Sequence, residues 1–164
     1  MILTVKLDEA LGRIDPGCQW SIRIDRVDGA PECLYARDAE TLLHTASVGK
    51  LFLLIEVADR LVHGSLDPGE MLDRELTQPV SDSGLWQYLS TSHLPIVDAA
   101  RLVGSVSDNW ATNALLRRVG LQSVKDRART LVSNGSTLHD QVRDFRSSED
   151  PKTLSEGCAS DLVE

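Results

Sequence analysis

Apolar residues recur at intervals of three and four from Ile2 to Ile14, at Leu3, Leu7, Ala10, Leu11 and Ile14. This spacing predicts a helix with one packed face, while Lys6, Glu9 and Arg13 stay in water. Asp15-Pro16-Gly17 reads as its end. From Trp20 to Val27 the pattern changes to alternation of apolar and polar residues, the period of a half-buried strand. Asp28-Gly29-Ala30-Pro31 then supplies turn residues before a second strand at Cys33-Leu34-Tyr35-Ala36, completing a β-hairpin. Beyond Leu42 the pattern is helical. A strongly apolar helix is expected from Ser47 to His63 with Gly64 as its C-cap, followed by helices at Leu85–Leu89, Ile96–Leu102, Asn109–Val119 and Leu121–Val132. Breaks fall at Gly64-Ser65-Leu66-Asp67-Pro68-Gly69, Pro79, Ser83-Gly84 and Ser133-Asn134-Gly135. A two-stranded sheet is marginal alone, and no further strand pattern is evident. The expected architecture is α+β: a partial domain of N-terminal helix and hairpin over residues 1–41, its antiparallel sheet incomplete, packed against a helical domain over residues 42–164.

Composition narrows the function classes. With 164 residues, 41% of them hydrophobic and 26% charged, the chain can bury a core. Seventeen Lys and Arg against twenty-five Asp and Glu give a net charge of −8, which disfavours nucleic acid and anionic membranes as partners. No apolar run approaches the roughly 20 residues of a membrane-spanning helix, and the first residues lack a signal-peptide pattern, so a cytoplasmic location is expected. Cys18, Cys33 and Cys158 are odd in number without a C-x-x-C pair and read as three reduced, semi-buried thiols. His44, His63, His93 and His139 have no metal-ligand spacing, and no nucleotide loop is present, so neither a metal nor an organic cofactor is expected. Glu70, Asp73, Arg74 and Glu75 read as a solvated charged face.

Two short segments carry chemistry. Ser47-Val48-Gly49-Lys50 opens the most apolar helix, and residues three apart share a helical face, so the Lys50 amine can reach the Ser47 hydroxyl. Unpaired N–H groups and the positive end of the helix dipole favour developing negative charge beside Ser47. A partly desolvated lysine can serve as the base that a weak alcohol nucleophile needs. Alone, the pattern reads first as a serine N-cap and a solvated lysine, since chance supplies roughly one S-x-x-K in every second chain of this length. Ser107-Asp108-Asn109 is rarer. It links two predicted helices and brings a hydroxyl for proton relay, a carboxamide and a carboxylate; its structural alternative is simple N-capping.

Together, and with the hairpin before them, these segments resemble the class A β-lactamase and penicillin-binding serine acyltransferase family. The resemblance extends along the chain through Leu42-Leu43-His44-Thr45-Ala46-Ser47, Gly64-Ser65-Leu66-Asp67 and Val106-Ser107-Asp108-Asn109-Trp110-Ala111-Thr112-Asn113. It implies an acylated nucleophile at Ser47, a general base at Lys50, a proton shuttle at Ser107, a substrate-amide contact at Asn109 and a structural Asp108. The implied substrate is a β-lactam or a peptide-like amide, with no cofactor. The family's third motif, Lys-Thr-Gly or Lys-Ser-Gly on a cleft-lining strand, is absent, because neither Lys125-Asp126-Arg127 nor Lys152-Thr153-Leu154 fits it. The chain thus looks truncated before that motif, with one cleft wall missing and a sheet edge open to self-association. The glutamate that activates water for deacylation in class A enzymes also has no clear counterpart. Glu149 lies too close to the following segment, read as a helix from Thr153 to Leu162. Asp140 and Asp144 have shorter reach, and Arg143, Arg146 and Asp150 are expected to form a loop salt bridge. Acylation without efficient turnover is the expected activity; the alternative is a non-catalytic remnant or binding module.

Overall fold

The computed structural model describes residues 2–14, 17–30 and 32–163, with side chains of the first helix described from Lys6 onward. Asp15 and Pro16 of the predicted helix stop, Pro31 of the predicted turn and the packing of Leu3 lie outside what is described.

Helix α1 (Ile2–Gly12) runs as its pattern predicts, but its apolar stripe is only partly covered. Leu7 and Leu11 are half-buried whereas Ala10 and Ile14 are exposed. Strands β1 (Ile22–Asp25) and β2 (Cys33–Arg37) pair antiparallel, with Ile24 opposite Tyr35 and an irregularity before Asp25. Two strands offer too narrow a surface to cover a whole helix face. Among the described residues of this part, the sealed one is Tyr35, 4% exposed, whose hydroxyl donates to Asp8 Oδ1 at 2.6 Å.

The expectation that the chain supplies no further strands is corrected. Two-residue and three-residue strands form two more antiparallel sheets. One orders β3 (Leu43–His44), β7 (Ser155–Gly157) and β6 (Thr137–Leu138); the other pairs β4 (Met71–Asp73) with β5 (His93–Pro95). Segments this short carry no readable period; their partners lie far away in the chain and define them. The helix expected over Thr153–Leu162 is accordingly strand β7 followed by a single helical turn, α6 (Ala159–Leu162). The helix expected at Leu85–Leu89 is one 3₁₀ turn, Trp86–Tyr88.

Helices α2 (Lys50–Val62), α3 (Ile96–Val106), α4 (Asn109–Val119) and α5 (Leu121–Leu131) agree with the periodicity. Helix α2 touches the other three. Leu53, Val57, Trp86, Ile96, Leu115, Val124 and Leu138 are sealed from solvent at their junction. Each such side chain contributes about 1.5–3 kcal/mol relative to exposure. The backbone turns left-handed at Gly64 directly after α2, as its C-cap reading requires.

The charged run at Glu70–Glu75 is a solvated face only in part. Glu70 is a bidentate partner of Arg118, the Asp73 carboxylate accepts from Glu75 N at 3.0 Å, and the Arg74 guanidinium lies over Trp110 at 4.8 Å. Glu70 and Arg74 thus lie against α4, whereas Asp73 caps its own turn and Glu75 stays exposed. Of the three free cysteines, Cys158 is buried while Cys18 and Cys33 are exposed, so none is semi-buried. Among the described residues no helix is long and apolar enough to cross a membrane.

Candidate active site

A 3₁₀ turn, Ala46–Gly49, precedes α2 and carries Ser47. The helix expected from Ser47 therefore begins in this tighter coil, in which residues three apart eclipse. Ser47 and Lys50 fall on the same side. Ser47 is exposed, whereas Lys50, the first residue of α2, is 3% exposed. Both line an open cleft of about 520 Å³ with Leu51, Leu54, Val103 and Ser107. Gly49 is required at this turn because a Cβ there would stand 2.3 Å from Ser155 Cβ.

Ser107 ends α3 with φ +55 and Asn109 begins α4, with buried Asp108 between them. Lys50 Nζ donates to Ser107 O at 2.6 Å, Ser107 Oγ at 3.0 Å and Asn109 Oδ1 at 2.7 Å. Three acceptors match the three protons of an ammonium. Burial nevertheless pushes the Lys50 pKa down to about 8, against the opposing pull of the Asp108 and Asp82 carboxylates. The structure thus gathers Lys50, Ser107 and Asn109 in one network, with Ser47 on the wall of the same cleft. The Asn109 side chain is engaged at both ends, its Nδ2 donating to Ser81 O at 2.9 Å.

Asp108 organises the loop that faces this network. Its Oδ1 accepts from Ala111 N at 2.9 Å, capping α4, and its Oδ2 accepts from Leu85 N at 2.7 Å and Trp86 N at 2.8 Å. Asn109 N donates to Ser83 O, and Ser83 Oγ to Val106 O, both at 3.0 Å. Residues 81–86 are thereby pinned against the Ser107-Asp108-Asn109 link, with Asp82 held at φ +76.

Sequence reasoning missed Asp82, Asn113 and Ser155. Asn113 is one helical turn beyond Asn109 on the same face of α4, and that spacing was a usable signal. Its Nδ2 donates to Val142 O and its Oδ1 accepts from Val142 N, both at 2.9 Å, fastening the segment before β7. In that segment the expected salt bridge forms, with Asp140 at its centre: Arg143 and Arg146 both bond its Oδ2 at 2.7 Å, and Arg143 reaches Asp150 at 3.2 Å. Glu149 is exposed. His139 and His44 approach Glu156 at 3.0 and 3.7 Å. Among the described residues no group of three or more His, Cys, Asp or Glu could hold a metal ion.

Several solved structures are similar in fold. A β-lactamase from Sphaerobacter thermophilus is similar at 25% identity and a TM-score of 0.69, over 80% of this chain and 49% of that one. Penicillin-binding protein D2 from Listeria monocytogenes, bound to ampicillin, shares 19% identity at a TM-score of 0.65, over 80% and 53%. PBP-A in an acyl-enzyme complex with penicillin G shares 19% identity at a TM-score of 0.75, over 98% and 58%. The chain spans about half the length of these solved relatives. No curated protein sequence matches it significantly. The model of the β-lactamase enzyme family Beta-lactamase2 matches residues 3–164, and the chain belongs to that family.

Proposed function

We propose that this chain forms a serine acyl-transfer centre that takes a β-lactam or a peptide-like amide onto Ser47. The observation that carries this reading is the buried, downshifted Lys50 amine, gripped by Ser107 and Asn109 beside the exposed Ser47. With a pKa of about 8, roughly a tenth of Lys50 is neutral at pH 7. The neutral amine takes the Ser47 proton as Oγ adds to the substrate carbonyl. On collapse the C–N bond breaks, the Ser107 hydroxyl passes its proton to the leaving nitrogen and is reprotonated from Lys50, and an ester remains on Ser47. Asn109 orients Lys50; the contact to a substrate amide expected from the family requires Nδ2 to exchange Ser81 O for the substrate.

Hydrolysis of that ester is slow on this reading. Among the described residues the cleft around Ser47 is lined without an Asp or Glu, and Asp140 is consumed by two arginines. Relatives bind ampicillin and penicillin G, which makes a fluorescent penicillin a suitable probe. Intact-mass spectrometry is expected to show one stable adduct, absent in Ser47→Ala and formed about 10²–10⁴-fold more slowly in Lys50→Met. An unlabelled wild type would instead favour a non-catalytic binding module.

A further inference from the structure

Strand β7 packs against the turn that carries Ser47. Ser155 is fully buried, and its Oγ donates to Ala46 O at 2.6 Å. Thr45 Oγ1 lies 2.8 Å from Ser155 Oγ. Because Ser155 has a single hydroxyl proton and Ala46 O receives it, Thr45 is the donor in that pair. The backbone repeats the connection, with Thr45 N donating to Ser155 O at 3.2 Å. Ala46 sits at φ +46, a left-handed conformation that costs a non-glycine residue energy and persists only where neighbours enforce it. Residue 46 immediately precedes Ser47, so its peptide orientation sets where the Ser47 hydroxyl stands relative to Lys50.

We infer that Ser155 is a positioning residue for Ser47: its hydroxyl, relayed from Thr45, holds the Ala46 carbonyl and so fixes the strained backbone that aims Ser47 at the carbonyl to be attacked. The Ser155 hydroxyl bonds Thr45 and Ala46, and the Lys50 amine bonds Ser107 and Asn109, so Ser155 acts through the turn and not on the amine. The inference rests on the acyl-transfer reading for its consequence but not for its geometry. Gly49 fits the same account, since only a residue without Cβ leaves Ser155 room to come this close.

The test compares the wild type with Ser155→Ala and with the double variant Ser155→Gly/Gly49→Ala, which refills the space without restoring the hydroxyl. Two readouts are taken. The first is acylation by a fluorescent penicillin, resolved into reversible binding and the covalent step across pH. Small displacements of a nucleophile can slow chemistry by about 10²-fold, so a fall of about tenfold or more in the covalent step is expected in both variants. Reversible binding should change little, and the Lys50 limb of the pH profile should stay in place. A fall in binding alone, a displaced limb or full activity in the double variant would overturn the inference, because each assigns the residue to general packing. The second readout is amide exchange of Val48 N–H, which donates to Thr45 O at 3.0 Å across the same turn. It is expected to quicken in Ser155→Ala, and unchanged exchange would overturn the inference even in a protein that no penicillin labels. An unlabelled wild type with quickened exchange refutes the acyl-transfer reading while supporting Ser155 as the anchor of the turn.

Discussion

At the scale of single residues, the chemistry turns on how much charge surrounds one amine. Burial lowers the Lys50 pKa, and Asp108 and Asp82 partly restore it. Asp108 cannot be altered without releasing three backbone N–H groups, but Asp82 is exposed. The Asp82 carboxylate stabilises the ammonium, so Asp82→Asn lowers the Lys50 pKa below about 8. The rate of acylation by a lysine base rises as pH passes through that pKa. The variant is therefore expected to move the rising limb of the acylation profile to lower pH and to react faster than wild type near pH 7. Stopped-flow labelling between pH 5 and 9, a working range of roughly two units to either side of neutrality, measures both. A limb moved upward or left in place would show that Asp82 has no electrostatic hold on Lys50.

At the scale of elements, the site depends on a loop pressed against a helix junction. Gly84 packs so tightly on Asp108 that a Cβ would lie 2.5 Å from the Asp108 carboxylate and 2.8 Å from its Cα, at φ +123 where side chains are strained. Gly84→Ala is expected to cost about 2–4 kcal/mol by overpacking and strain together, read from denaturant melts. It should also weaken the lysine network, since the same loop supplies Ser81 O to Asn109. A loss below about 0.5 kcal/mol, the level of a neutral surface change, would contradict the tight fit. What could be read from the chain beforehand follows from the range of each interaction. Helices α2, α4 and α5 were legible because apolar residues recur within each of them, and the Ser47/Lys50 and Ser107/Asn109 segments because they are local; which face α2 buries was not, since Leu51 and Ile55 of its apolar pattern are exposed while Phe52, Leu53 and Val57 are sealed. Strands β3, β6 and β7 were not, since two or three residues have no period and their pairing partners lie as much as 114 positions away, as Leu43 is to Gly157. Ser155 and Asp82 were hidden for the same reason: each matters only through a neighbour in space.

At the scale of the whole molecule, stability is unevenly shared. The continuous apolar core draws on Phe52 through Leu154, and no described residue before Phe52 belongs to it. The N-terminal portion instead seals its own Tyr35 and is tied to the rest by polar links: Ser160 N donates to Ala39 O at 2.8 Å and Ala159 N to Ser21 Oγ at 2.9 Å. Hydrogen bonds of this kind contribute about 0.5–1.5 kcal/mol each, well below what the shared helical core supplies. Native-state amide exchange on the full chain is therefore expected to show β1 and β2 opening together at lower free energy than α2 and α4. The order should hold at any denaturant concentration below the main transition. Exchange that merges all four elements into one opening would mean that the helix and hairpin are bound into the core as a single cooperative unit. The boundary near residue 41 would then have no energetic meaning. If the hairpin does open alone, its strand edges become available without unfolding the Ser47 turn. Added protein should then raise hairpin protection through edge pairing between copies, leaving α2 and α4 unaffected; protection that does not vary with concentration would rule such pairing out.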